Sequence, residues 1–150
     1  MATIRFHENT TATPEQFIAG LTDFGPGRSK LFENSADAYL TVRSKGAHEA
    51  DATEGSGGIW ERLHYDWSDP HQVKLTTTDS NLFGGASGHT YTLTPQPDGT
   101  TAIDAVLIRE GKNLKGRVVA GVLSTVGKRS LAKAFANSVK AIEVRAAIER

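Results

Sequence analysis

Two charged side chains occupy positions where strand alternation demands apolar ones. In the run Ile59 to Trp67, Ile59, Glu61, Leu63, Tyr65 and Trp67 share one face, opposite Trp60, Arg62, His64 and Asp66. In the run Thr101 to Arg109, Arg109 continues the face of Ile103, Ala105 and Leu107. A buried charge is costly unless paired, so a Glu61–Arg109 ion pair is one way to tolerate both; the other is that both sit at strand ends in water. Inside a cavity they could orient a ligand carbonyl, hydroxyl or carboxylate. Tyr65, Tyr91 and His89 add hydrogen-bonding groups. With Glu61 and Arg109 they form a candidate acid–base set for an aldol-type cyclisation or dehydration, although such residues also serve as amphipathic packing at a core edge.

Other chemistries lack their residues. The chain has no Cys, which removes disulfides, thiolate metal sites and Cys nucleophiles. Its five histidines, His7, His48, His64, His71 and His89, show no HExxH spacing, so no metal or other cofactor is expected. Gly55-Ser56-Gly57-Gly58 lacks the Lys-Ser/Thr and helix of a phosphate-binding loop and reads as a hairpin loop. Ser87, in Gly85-Ala86-Ser87-Gly88, lacks the pattern of a nucleophile elbow.

The elements that must position these groups are legible in order. Ile4 to Asn9 alternates as a strand. Thr13-Pro14-Glu15-Gln16 opens a helix that carries Phe17, Ile18, Leu21 and Phe24 and stops at Gly25-Pro26-Gly27. A second short helix spans about Arg28 to Glu33. Six strands follow, near Tyr39–Ser44, His48–Thr53, Ile59–Trp67, Gln72–Asp79, His89–Thr94 and Thr101–Arg109, joined by short turns as in an antiparallel meander. Val73, Leu75, Thr77, Tyr91 and Leu93 join the inner faces, and Thr76, Thr78, Thr90, Thr92 and Thr94 the outer. No repeat or linker divides residues 1–150, so a single domain is expected.

Asn113 to Arg150 reads as one long helical segment, with apolar positions in two groups. Val118, Val119, Val122, Leu123 and Val126 lie on one side, and Leu131, Phe135, Val139, Ile142 and Ala146 nearly opposite. The switch predicts a kink or short break near Gly127, which would serve as a hinge. The second group should pack on the sheet as core. The first should cover a cavity mouth, join a second subunit or lie on a membrane.

Residues 1–111 carry eight Lys+Arg and fifteen Asp+Glu, a net −7; residues 112–150 carry nine and two, a net +7. The basic segment could complement the acidic body or meet anionic lipid or an acidic partner. Its basic residues are spread and its one aromatic, Phe135, falls on the core stripe, so nucleic acid is not the favoured partner. With no apolar signal core at the start and no spanning stretch, the expected setting is cytoplasmic.

Strand, two short helices, six antiparallel strands and a C-terminal helix resemble the helix-grip fold of the START, pollen-allergen and polyketide-cyclase proteins, collectively the SRPBCC superfamily. The likeness spans essentially the whole chain and is strongest to the short bacterial polyketide cyclase/dehydrase and lipid-transport branch. It rests on the Thr13-Pro14-Glu15-Gln16-Phe17 entry, the run Trp60 to Pro70, Asp98-Gly99-Thr100-Thr101 and Leu114-Lys115-Gly116-Arg117. The resemblance implies an α+β fold in which a curved seven-stranded sheet (β-α-α-β6-α) grips the last helix around a hydrophobic cavity. It implies no shared catalytic residues.

Three functions remain open. The first is a binding or transport module for a lipid, isoprenoid or aromatic polyketide. Its mouth would comprise Phe17, Phe24, Phe32, Phe83 and the Val118–Val126 face, with Val119 and Val122 among its contacts. Its floor would comprise Leu63, Tyr65, Leu75, Tyr91 and Leu107, with Glu61 and Arg109 as polar contacts. The second is a metal-free cyclase or dehydratase using Glu61, Tyr65, His89 or Arg109. The third is a regulatory or toxin-like interaction protein with a filled cavity, working through the basic helix. In the first reading the Val118–Val126 strip gates the cavity; a transient membrane contact or a homodimer are its other uses.

Overall fold

The computed structural model describes residues 1–148. β1 (Ala2–Thr10) leads into α1 (Pro14–Leu21) and α2 (Arg28–Leu31). The meander follows as β2 (Thr41–Lys45), β3 (Glu49–Ser56), β4 (Ile59–Asp66), β5 (Gln72–Ser80), β6 (Gly88–Pro95) and β7 (Thr101–Arg109). α3 (Leu114–Ser124) and α4 (Lys128–Ile148) close the chain. The expected helix ran on through residues 149 and 150, which lie outside the described residues.

The strands form one antiparallel sheet in the order β1-β7-β6-β5-β4-β3-β2. β1 therefore crosses the whole molecule to pair with β7, while the meander supplies every other pairing between sequence neighbours. This is the α+β helix-grip arrangement. β3 runs three residues beyond the expected end at Thr53, because Glu54, Gly55 and Ser56 keep their register against Glu61, Trp60 and Ile59.

α1 begins with a reciprocal cap: the Gln16 amide donates to Thr13 Oγ1 at 3.1 Å, and the Thr13 amide donates to Gln16 Oε1 at 2.9 Å. Its apolar face, Phe17, Ile18 and Leu21, joins Leu63, Tyr65, Val73, Leu75, Leu93 and Ile103 from the sheet and Val139, Ile142 and Ala146 from α4 in one core. Gly20 permits this approach, since a Cβ there would sit 2.8 Å from Ile142 Cγ1.

The C-terminal segment is two helices with a break at Thr125-Val126-Gly127. The Val122 carbonyl accepts from both the Thr125 amide (3.2 Å) and the Gly127 amide (2.8 Å), which ends the regular ladder, and α4 restarts with the Leu131 amide donating to the Gly127 carbonyl at 3.1 Å. The Asn113 side chain caps α3 by accepting from the Gly116 amide at 2.8 Å. Gly116 lies against the Leu82 carbonyl, which any Cβ there would strike. α3 is thereby seated on a second small core of Leu82, Phe83 and Ala120, with Ala2, Ile59, Val119 and Leu123 around it.

Two expectations about these helices need correction. Val118, Val119, Val122, Leu123 and Val126 do not act as one face: Val119 and Leu123 turn inward, while Val118, Val122 and Val126 stand in solvent. Leu131 and Phe135 are only partly buried, unlike Val139 and Ile142. Phe135 still packs on the Phe6 and Tyr91 rings of the sheet, 5.9 and 6.2 Å between centroids, and a cavity opens beside it and Leu131.

Candidate functional site

The cavity has a volume of about 300 Å³ and lies between the inner face of the sheet and the two C-terminal helices. Its walls are Leu63, Leu75, Ala105 and Leu107 from the strands and Leu131, Ala134 and Phe135 from α4. Val119 and Leu123 reach it from α3, and Phe32 from the connection after α2. Its solvent-exposed lining residues, Glu33 and Asn34, mark the opening beside Phe32.

Register places the polar groups. Residues directly opposite in an antiparallel pair share a face, so Glu54 of β3 stands beside Glu61 of β4 on the inner face. His89 of β6 lies between Leu75 of β5 and Leu107 of β7, and Tyr91 is opposite Val73 and Ala105. Arg109 ends β7 on the same side.

Arg109 and Glu61 form an ion pair through Nη2–Oε1 (2.8 Å) and Nη1–Oε2 (3.2 Å), with side chains 7% and 13% exposed. Thr77 Oγ1 donates to Glu61 Oε2 at 2.8 Å, and the Arg109 guanidinium lies over the Phe83 ring, 4.8 Å from its centroid. Arg109 Nη2 also reaches His89 Nε2 at 3.0 Å. Arginine only donates, so Nε2 must accept, and the neutral imidazole carries its proton on Nδ1. Burial and the adjacent Arg109 charge hold the His89 pKa well below the usual histidine value, so this neutral form persists at physiological pH. Nδ1 lies 3.5 Å from the Tyr91 hydroxyl, the outer limit of a hydrogen bond. The Tyr91 oxygen is the acceptor of that contact, which leaves its own proton for the cavity. Burial, then the charge of Glu54, pushes the Tyr91 pKa up to about 12, so Tyr91 acts as a neutral donor.

A second network backs the wall beside the opening. Arg28 Nε donates to Glu54 Oε1 at 2.6 Å, Nη1 to the Asp23 carbonyl at 2.6 Å, and Nη2 to the Tyr65 hydroxyl at 3.1 Å. Ser35 Oγ donates to Glu54 Oε1 at 2.8 Å, and the Tyr65 hydroxyl donates to Glu54 Oε2. Phe24 and Phe32 cover the Arg28 guanidinium at 4.6 and 4.8 Å. Burial first, and the Glu54 carboxylate next, hold the Tyr65 pKa well above the usual tyrosine value.

Of the expected ligand contacts, Phe32, Glu61, Leu63, Tyr65, Leu75, Phe83, Tyr91, Leu107, Arg109 and Val119 line the cavity, as does the acid–base candidate His89. Phe17 does not; it is core, packed on Tyr91 at 5.9 Å between ring centroids. Phe24 stands behind the wall, edge-on to Tyr65 at 5.0 Å and over Arg28. Val122 points outward into solvent. Phe83 is buried beneath Arg109 rather than at a mouth. Sequence reasoning missed Arg28 and Glu54. The signal for Glu54 was the alternation Ala50, Ala52, Glu54, which places it on the inner face of β3.

Of the candidate acid–base groups, Tyr91 alone keeps its proton for the cavity, and the others are held by internal partners among the described residues. Glu61 is occupied by Arg109 and Thr77, His89 by Arg109, and Tyr65 by Glu54. Among the described residues, no cluster of three or more His, Asp or Glu side chains is placed to hold a metal ion.

The sequence matches no protein-family model and no curated protein. Solved structures carry the likeness. The chain is similar to a protein from Thermus thermophilus (TM-score 0.69, 14% identity, 95% of each chain covered). It is equally similar to a START superfamily protein from Mycobacterium smegmatis (TM-score 0.69, 13% identity, 97% of each chain). A Thermobifida fusca protein aligns at a TM-score of 0.64, with 15% identity over 95% of this chain and 93% of the other. The chain has the START-like helix-grip fold. At such identities the comparison speaks for fold alone.

Proposed function

We propose that the chain binds a small, largely apolar molecule carrying a neutral hydrogen-bond acceptor, and that it holds or carries this molecule without transforming it. The observation that supports this reading is a cavity of about 300 Å³ in which both arginines are already paired with carboxylates. An ionic ligand would have to displace one of those pairs. A neutral carbonyl or hydroxyl need only meet the Tyr91 proton. The volume sits at the low end of small-molecule sites, about 300–1,000 Å³, and suits a short isoprenoid or a ligand of one or two fused rings better than a two-chain lipid. A cyclase or dehydratase would need a group free to take a proton, and no described candidate among Glu61, Tyr65 and His89 is free.

Native mass spectrometry of the purified protein, before and after extraction with organic solvent, tests this reading. A neutral adduct lost on extraction, or one restored by adding an apolar ketone, is expected. A protein that takes up no apolar molecule, or one that converts it, would overturn the proposal.

A further inference from the structure

α3 has two apolar sides. Assigning about 100° per residue, Gly116, Val119, Ala120 and Leu123 form the side against the body, and Leu114, Val118 and Val122 form a stripe almost opposite. The burial follows this division: Leu114, Val118 and Val122 are 77%, 58% and 45% exposed, and Val126, four residues further at the break, is 81% exposed. An outward row of branched apolar residues gains nothing from the fold of a single chain.

The charges around the row are of one sign. Lys115 and Arg117 flank it on α3, and Lys128 and Arg129 follow the break, all exposed and none in an ion pair with a described residue. No acidic residue occurs between Glu110 and Glu143. A second copy docked two-fold through this stripe would set those basic flanks against each other. An anionic lipid surface accepts the valines among its acyl chains and the cations among its headgroups. No helix among the described residues is long and apolar enough to cross a membrane, so the contact would lie along the surface.

We infer that α3 is a docking face for anionic membranes, in which Leu114, Val118, Val122 and Val126 enter the interface and Lys115, Arg117, Lys128 and Arg129 meet lipid phosphates. Because Val119 and Leu123 on the opposite side line the cavity, the docked helix would set the cavity beside the lipid. Docking itself needs no ligand, so an empty cavity and indifference to vesicles are separate results.

The test is sedimentation of the full chain with phosphatidylcholine vesicles and with vesicles containing phosphatidylglycerol, at low and high salt. Binding to the anionic vesicles alone, weakened by salt, is expected. The paired change Val118→Asp with Val122→Asp should weaken it by about tenfold or more, and Lys115→Gln with Arg117→Gln should weaken it without abolishing apolar-probe uptake by the cavity. These side chains are exposed, and unchanged melting temperatures would establish that the variants fold. Absence of vesicle binding, equal binding to neutral vesicles, or binding indifferent to both variants would overturn the inference. So would a wild-type dimer, seen by light scattering, that Val118→Asp with Val122→Asp converts to monomer.

Discussion

Glu54 and Glu61 stand directly opposite each other on the inner faces of β3 and β4, and each is held by a different arginine. Two carboxylates in that relation repel unless both are compensated. Arg28 and Arg109 supply that compensation, one to each carboxylate, across the β3–β4 pair beside the cavity.

The Glu61–Arg109 pair should show strong coupling. Arg109→Met leaves Glu61 facing Glu54, and Glu61→Gln leaves Arg109 with no carboxylate partner. Each single change should cost about 3 kcal/mol, and the double variant should lose less than the worse single. Urea denaturation of the four proteins measures this, and additive losses would show that the two side chains do not depend on each other.

His89 should make stability fall in acid. Its folded pKa lies well below the usual value, so the unfolded chain binds a proton that the native protein refuses. The stability this provides is fully present above the unfolded histidine pKa of about 6.5 and is lost progressively as pH falls from there toward the folded value. His89→Gln keeps an acceptor for Arg109 but cannot titrate. Its denaturation midpoint should vary less than that of the wild type between about pH 7 and pH 5; parallel curves would contradict the buried neutral imidazole.

Tyr91 should discriminate ligands by one hydrogen bond. Tyr91→Phe removes the donor while leaving the ring against Phe17 and Phe135. Affinity for 1-tetralone should fall by roughly threefold to tenfold, and affinity for tetralin should not change. Calorimetric titration of both compounds separates this from a general loss of the site.

Phe135 and Ile142 separate the cavity wall from the core. Ile142 is buried against Gly20, and its truncation to Ala should cost roughly 2–5 kcal/mol. Phe135 would ordinarily cost more. Because one side already borders the cavity, Phe135→Ala should cost less than Ile142→Ala and enlarge the site. Thermal melts of the two variants decide the order.

Much of this was legible because alternation is a strict signal. A period of two put Glu61 and Arg109 on inward faces, and the meander brought those faces together. The Gly127 break was legible for a similar reason: one helix cannot serve two opposite stripes on one core. Arg28 was not legible, since the first residue of a four-residue helix after Gly27 reads as a surface position. Its burial depends on Glu54, twenty-six residues on, and on the rings of Phe24 and Phe32. Phe17 was misplaced because periodicity gives the apolar side of α1 but not its depth. Val122 was misplaced because its helix carries two apolar sides, and only the seating of Gly116 on Leu82 selects which one turns inward.

Binding of a neutral apolar molecule in the cavity is tested most directly by titrating N-phenyl-1-naphthylamine into wild type and into Ala134→Phe. Ala134 lies on the cavity wall, so the larger side chain should fill part of the space. Saturable fluorescence enhancement at one probe per wild-type chain is expected, with loss of binding in the variant and no fall in its melting temperature. No saturable binding, or binding unchanged by a folded Ala134→Phe, would contradict a binding site there.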